Sequence, residues 1–220
     1  MSIIFSKENI QKFYNQEAEI RNEKYIKPDW KNNIRESFLK IIKIENKRTL
    51  LELGAGAGYD SLFFIDNGLK VIAIDLSTEM VKKCIEKDIE TYELDFYDLS
   101  SLNKKFDCVY TLNTFLYVPK NDFLKVIKEI ESILNLNGLF YMGLYGGNDI
   151  EKEMVFSDVS DVPLFFTFHS EDYLKFTLKE YFEIIGFEDI NIEHHVRGFE
   201  TFYSIVLRKK SDNNHLIKDN

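Results

Sequence analysis

The chain has 220 residues, 45% hydrophobic and 30% charged, with three prolines; this is the composition of a folded domain with a real core, and it excludes a disordered or fibrous chain. Acids outnumber bases 37 to 28, a formal net charge of -9, which argues against nucleic acid or an anionic membrane as partner, since both are met chiefly through Lys and Arg. Cys84 and Cys108 are the two cysteines, each inside an apolar stretch, and they read as buried free thiols with no zinc-type spacing and hence no expected metal.

The start of the chain, MSIIFSKENI, turns charged too soon for a signal peptide, and no apolar run approaches the ~20 residues of a membrane span. A cytoplasmic protein is expected. Helical spacing marks residues 6–21 and 29–43, the latter through Ile34, Phe38, Ile41 and Ile42. A buried strand follows at 49–53, then a glycine loop and a helix over 59–67 that Gly68 ends. Residues 71–74 form a second strand, and Ser77 caps a helix that turns Met80, Val81 and Ile85 inward.

Strands are expected at 90–94 and 106–112, and a strong helix over 121–136 with Phe123, Val126, Ile127, Ile130 and Ile133 on one face. Asn137 and Gly138 stop that helix before a strand at 139–145. Ser170 caps a helix reaching to 185 and ended by Gly186, and strands at 187–195 and 199–208 meet through Arg197 and Gly198 as a hairpin. One domain is expected over 1–210: a helical cap (1–47), a core (48–145), an insertion (146–169) and a final helix and hairpin (170–209). Residues 211–220 are polar and expected to be a disordered tail. Regular alternation of strand and helix implies a parallel α/β sheet with helices on both faces.

The chemistry concentrates where Leu51-Glu-Leu-Gly-Ala-Gly-Ala-Gly-Tyr-Asp60 leaves a strand and opens a helix. Gly54, Gly56 and Gly58 permit a tight turn and leave the backbone bare toward a ligand. A nicotinamide fingerprint, G-x-G-x-x-G, would require glycine at 59 counted from Gly54, or glycine or alanine at 61 counted from Gly56; Tyr59 and Ser61 stand there. Asp75, at the end of the second strand, can accept from both hydroxyls of a ribose. Asp95, after the third, is placed for an exocyclic adenine amine, with Phe96 beside the ring. Glu52 can face a cationic amino-acid head group or order the loop, and neither role suits a pyrophosphate.

These segments, E-L-G-A-G-A-G, V-I-A-I-D-L-S, L-D-F-Y-D and F-D-C-V-Y-T-L-N, resemble in order and spacing the motifs of class I S-adenosylmethionine-dependent methyltransferases. L-N-L-N-G-L-F-Y is similar to the fifth motif, with Asn137 in place of the usual proline. The likeness covers about residues 48–145 and the terminal hairpin. It implies a Rossmann-like seven-stranded sheet of order 3-2-1-4-5-7-6 with strand seven antiparallel, and S-adenosylmethionine as cofactor. It also implies Gly54 and Gly56 against the methionine part, Asp75 on the ribose, and Asp95 with Phe96 at the adenine. Ala55, Leu76 and Met80 are counted with them, and Asn113 is expected to face the sulfonium. Tyr14, in an N-terminal helix that with Phe13 and Tyr25 resembles the family's cap, is a further cofactor candidate.

The expected reaction is methyl transfer to a small-molecule acceptor, governed by positioning. His169 is a candidate base. Tyr117, where relatives often carry histidine, is a candidate for catalysis or for lining the pocket. The aromatic insertion suggests Tyr145, Phe166 and Phe168 as acceptor contacts, either as a lid that leaves one or more of Phe165, Phe166 and Phe168 partly exposed or as ordinary packing. His194 and His195 are adjacent on a strand and read as structural or exposed. A protein that binds the cofactor without turnover and a nicotinamide oxidoreductase are the competing classes.

Overall fold

The computed structural model describes residues 5–23, 28–157, 159–196 and 199–211, with backbone alone at 193–196, 199 and 200. Tyr25, the Arg197–Gly198 turn and the tail beyond 211 therefore lie outside the described residues, as do the side chains of His194 and His195.

Two helices come first, α1 (Lys7–Glu23) and α2 (Asp29–Ile44), then β1 (Thr49–Leu53), α3 (Tyr59–Asp66), β2 (Lys70–Asp75), α4 (Thr78–Ile85) and β3 (Thr91–Glu93). After β4 (Phe106–Leu112), α5 (Phe123–Ile133) and β5 (Leu134–Tyr145), a separate hairpin of β6 (Ile150–Phe156) and β7 (Ser160–Phe168) interrupts the alternation. The chain ends in α6 (Glu171–Leu178), β8 (Phe182–Val196) and β9 (Phe199–Lys209). The sheet order is β3-β2-β1-β4-β5-β9-β8. Its first five strands run parallel and β9 is antiparallel to both neighbours. With the hairpin set apart, this is the expected order.

Period-two alternation sends side chains to opposite faces of the sheet. Leu139 and Tyr141 of β5 join Phe38 and Ile42 of α2 on one face. Phe140, Met142 and Leu144 join the apolar stripe of α5 on the other. Every residue of that stripe, from Phe123 to Ile133, is buried as the helical spacing expected; each contributes about 1.5–3 kcal/mol of transfer free energy.

Two boundaries and one facing differ from expectation. Leu134 has already left the helix, because it pairs with Phe106 and the Asn135 amide donates to Asp107 at 2.9 Å; Asn137 and Gly138 therefore fall inside β5. The last helix is shorter because Phe182 is fully buried and Phe182 to Ile184 pair with Lys209 to Leu207, so Gly186 marks a register shift within a strand rather than a helix end. Ile85 is 56% exposed, and Cys84 takes the inward place beside Met80 and Val81.

Candidate active site

The loop after β1 is held by its own backbone. The amides of Gly54 and Ala55 both donate to the Ile74 carbonyl, at 2.9 and 3.0 Å. Gly54 has φ +67, and a Cβ there would come within 2.3 Å of the Thr114 hydroxyl. Gly56 has φ +55, yet a Cβ there would meet no protein atom within 4 Å. The first glycine is required by the protein's own packing, the second leaves bare backbone toward open space.

That space is a cavity of about 360 Å³, within the range of small-molecule sites. It lies at the carboxyl ends of β1 to β4, where open α/β sheets bind ligands. Tyr14, Glu52, Gly54, Ala55, Gly56, Asp75, Leu76, Met80, Asp95, Phe96 and Asn113 all line it, as does Tyr117. Residues from α1, from α4 and from the ends of four strands or the loops after them thus converge on one volume.

Asp75 receives the Gly56 amide on Oδ2 and the Ser77 amide on Oδ1, both at 2.8 Å. Burial raises its carboxyl above the ordinary range, against the pull of those amides. Each oxygen keeps acceptor capacity for a ligand hydroxyl. Glu52 is buried and accepts from the Ser61 hydroxyl. The buried Oδ1 of Asn113 has no hydrogen-bond partner among the described residues, although it lines the cavity and the residue's amide is fixed to the Gly143 carbonyl at 2.7 Å. A buried acceptor left this way carries a desolvation cost that a ligand donor would offset.

Helix α1 roofs the cavity. Gln11 donates to the Leu76 carbonyl at 3.1 Å, and Asn15 accepts from the Ser77 hydroxyl at 2.7 Å. Tyr14 and Tyr117 meet hydroxyl to hydroxyl at 2.6 Å. Lys7 pairs with Asp95 at 2.6 Å and lies 4.0 Å above the Tyr97 ring. Lys7, Lys31, Asp60, Tyr97 and Thr114 also line the cavity and were not singled out from sequence. Thr114 adjoins Asn113 and was within reach. The lysines depend on how α1 and α2 dock, for which no local motif exists.

Tyr145, Phe166, Phe168 and His169 do not line the cavity. Phe166 stands behind Tyr117, ring centroids 5.2 Å apart, and stacks on Phe168 at 6.1 Å. Phe165, Phe166 and Phe168 are all at most 6% exposed, so the partly exposed lid is replaced by packing; alternation does put Phe166 and Phe168 together and Phe165 elsewhere, against Phe5. His169 is fully buried, stacked 4.8 Å from Tyr173, and neither ring nitrogen has a hydrogen-bond partner among the described residues. Burial pulls its pKa down to about 4.

Residues 50–138 match the family model described as a methyltransferase domain. That stretch, about two fifths of the chain, is similar to a methyltransferase domain. A cypemycin N-terminal methyltransferase from Streptomyces sp is 32% identical over 96 residues, 42% of this chain and 36% of that protein. The chain spans 36 to 61% of the length of the curated relatives it matches. Among solved structures, the Burkholderia thailandensis 1,6-didemethyltoxoflavin-N1-methyltransferase, crystallised with its didemethyltoxoflavin and S-adenosylhomocysteine, superposes with TM-score 0.67 at 13% identity, covering 96% of this chain and 93% of that one. The DhpI–SAH complex gives 0.69 at 17% identity, covering 95% and 99%. At these identities the solved structures show a shared fold.

Proposed function

We propose that this chain transfers the methyl group of S-adenosylmethionine to a small-molecule acceptor in the cytoplasm. The observation that carries the proposal is the convergence of the glycine loop, Asp75, Asp95 and Asn113 on one cavity. The residues fit the cofactor: Gly56 presents backbone without a side chain, and Asn113 has a buried acceptor without a partner. Asp75 would hold the ribose diol, Asp95 and Phe96 the adenine, and Glu52 and Asn113 the α-ammonium side of the methionine part. Tyr14, Ala55, Leu76 and Met80 would complete the wall.

The cofactor supplies an activated methyl, which passes to an acceptor lone pair as the carbon–sulfur bond breaks and leaves a neutral thioether. The protein's task is then alignment and exclusion of water, which can account for ~7–11 kcal/mol of barrier. Tyr14 and Tyr117 are the side chains placed to do this. Their linked hydroxyls belong to residues that line the cavity, where they can orient an acceptor and accept or relay its proton. His169 takes no part, since a proton acceptor must come within hydrogen-bond reach of its donor and the imidazole is walled off by Phe123 and Tyr173. The excess of acids over bases, 37 to 28, favours a small acceptor over a nucleic acid.

The test is turnover. S-adenosylmethionine and a metabolite extract are incubated with the protein, and S-adenosylhomocysteine and methylated products are measured by mass spectrometry. Cofactor binding without product from any extract would leave a binding protein instead.

A further inference from the structure

We propose that Asn15 of α1, with Gln11 one turn before it, is a positioning residue that aims the Asp75 carboxylate at the ribose diol of S-adenosylmethionine; this rests on the cofactor assignment above. Neither side chain is among those that line the cavity. Residues four apart share one face of a helix, and this face of α1 lies on the turn that follows β2. Gln11 donates to the Leu76 carbonyl at 3.1 Å and to the Glu93 carboxylate at 3.2 Å. The side-chain carbonyl of Asn15 accepts from the Ser77 hydroxyl at 2.7 Å and from the Glu79 amide at 3.2 Å.

Asp75 takes its direction from that turn. A carboxylate accepts from both hydroxyls of a diol only when its two oxygens are turned toward them together. Oδ2 is set by the Gly56 amide, in a loop anchored to the sheet through the Ile74 carbonyl, and Oδ1 is set by the Ser77 amide. Ser77 is fully buried, with extended backbone, and caps α4 by accepting the Met80 amide at 3.2 Å. A hydroxyl has one proton to donate, and that of Ser77 goes to Asn15. The Glu79 amide belongs to the first turn of α4, where no acceptor exists within the helix, and Asn15 supplies one. Without Asn15, the Ser77 proton and the Glu79 amide both lose their acceptor. Ser77 is then free to turn toward others, and it carries with it the amide that fixes Oδ1 of Asp75.

The test is a cycle with Asp75, read by calorimetry below the melting transition of each variant. Asn15→Leu keeps the bulk and removes the acceptor, whereas Asn15→Asp keeps an acceptor oxygen in place. The ligands are S-adenosylhomocysteine and 5′-methylthioadenosine, which share the ribose and differ in the amino-acid end. Asn15→Leu is expected to weaken both alike, by about threefold to tenfold, the range for a lost neutral hydrogen bond; Asn15→Asp restores most of the loss. In an Asp75→Ala background Asn15→Leu has no further effect, because the two residues act as one unit. An unchanged affinity, a loss confined to S-adenosylhomocysteine, or the same loss repeated on top of Asp75→Ala overturns the proposal. Gln11→Leu, which removes the bond to the Leu76 carbonyl, carries the same cycle and the same outcomes if Asn15→Leu does not fold. If the unaltered protein binds neither ligand, it is the cofactor assignment that fails.

Discussion

The hydroxyls of Tyr14 and Tyr117, 103 positions apart in sequence, lie 2.6 Å apart at the wall of the cavity. One belongs to the helix that roofs the site and the other to the short turn after β4, so this bond joins the N-terminal roof to that turn. Either oxygen can be the donor. Tyr14→Phe and Tyr117→Phe should therefore each remove the same interaction, costing about 0.5–1.5 kcal/mol. The double variant should cost no more than either alone. Thermal melts of the four proteins check this; additive losses would show that the hydroxyls act independently.

The glycine loop allows a sharper comparison. Gly56 and Gly68 both have positive φ, at +55 and +92, and at neither would a Cβ meet a protein atom within 4 Å. Gly56→Val and Gly68→Ala should both lower stability through backbone strain, by roughly 1 kcal/mol or more. Only the first places its side chain against the cavity. S-adenosylhomocysteine titration should show binding abolished by Gly56→Val and unchanged in Gly68→Ala. Equal loss in both would move the site away from this loop.

Much of this was legible in the sequence because it is local. A strand such as Thr49–Leu53 is a short apolar run, and the loop after it needs glycines that no other residue replaces. The acids follow at the ends of successive strands, so their convergence follows from the parallel topology. What was not legible depends on distant partners. Leu134 and Phe182 sit in helix-compatible runs, and only pairing with Phe106 and Lys209 makes them strand. The insertion's aromatics suggested a lid, yet Phe166 is buried against Tyr117. His169 resembled a base by residue type alone, and its burial comes from Phe123 and Tyr173 closing around it.

His169 gives a pH prediction. Burial holds its folded-state pKa at about 4, below the unfolded value near 6.5. The unfolded chain therefore takes up a proton first as pH falls, and the folded state loses stability between about pH 6.5 and 4, by at most about 1.4 kcal/mol per pH unit. Above that window the imidazole is neutral in both states and the effect vanishes. His169→Phe removes the titration and two unpartnered nitrogens. It should flatten the decline in melting temperature from pH 7 to 5 and leave the pH–rate profile of methyl transfer unchanged. A lost or shifted catalytic limb would return His169 to the mechanism.

The central claim is that Asp75 holds the ribose of S-adenosylmethionine at this cavity, and calorimetric titration of the cofactor into the unaltered protein, Asp75→Asn and Asp75→Ala tests it most directly. Two hydrogen bonds to a charged acceptor contribute together ~2–4 kcal/mol. The unaltered protein should bind, and Asp75→Ala should bind at least about tenfold more weakly, with its circular dichroism and cooperative melt retained. Asp75→Asn, which keeps the shape and loses the charge, should fall between them. Cofactor affinity that is the same in all three proteins would contradict the account.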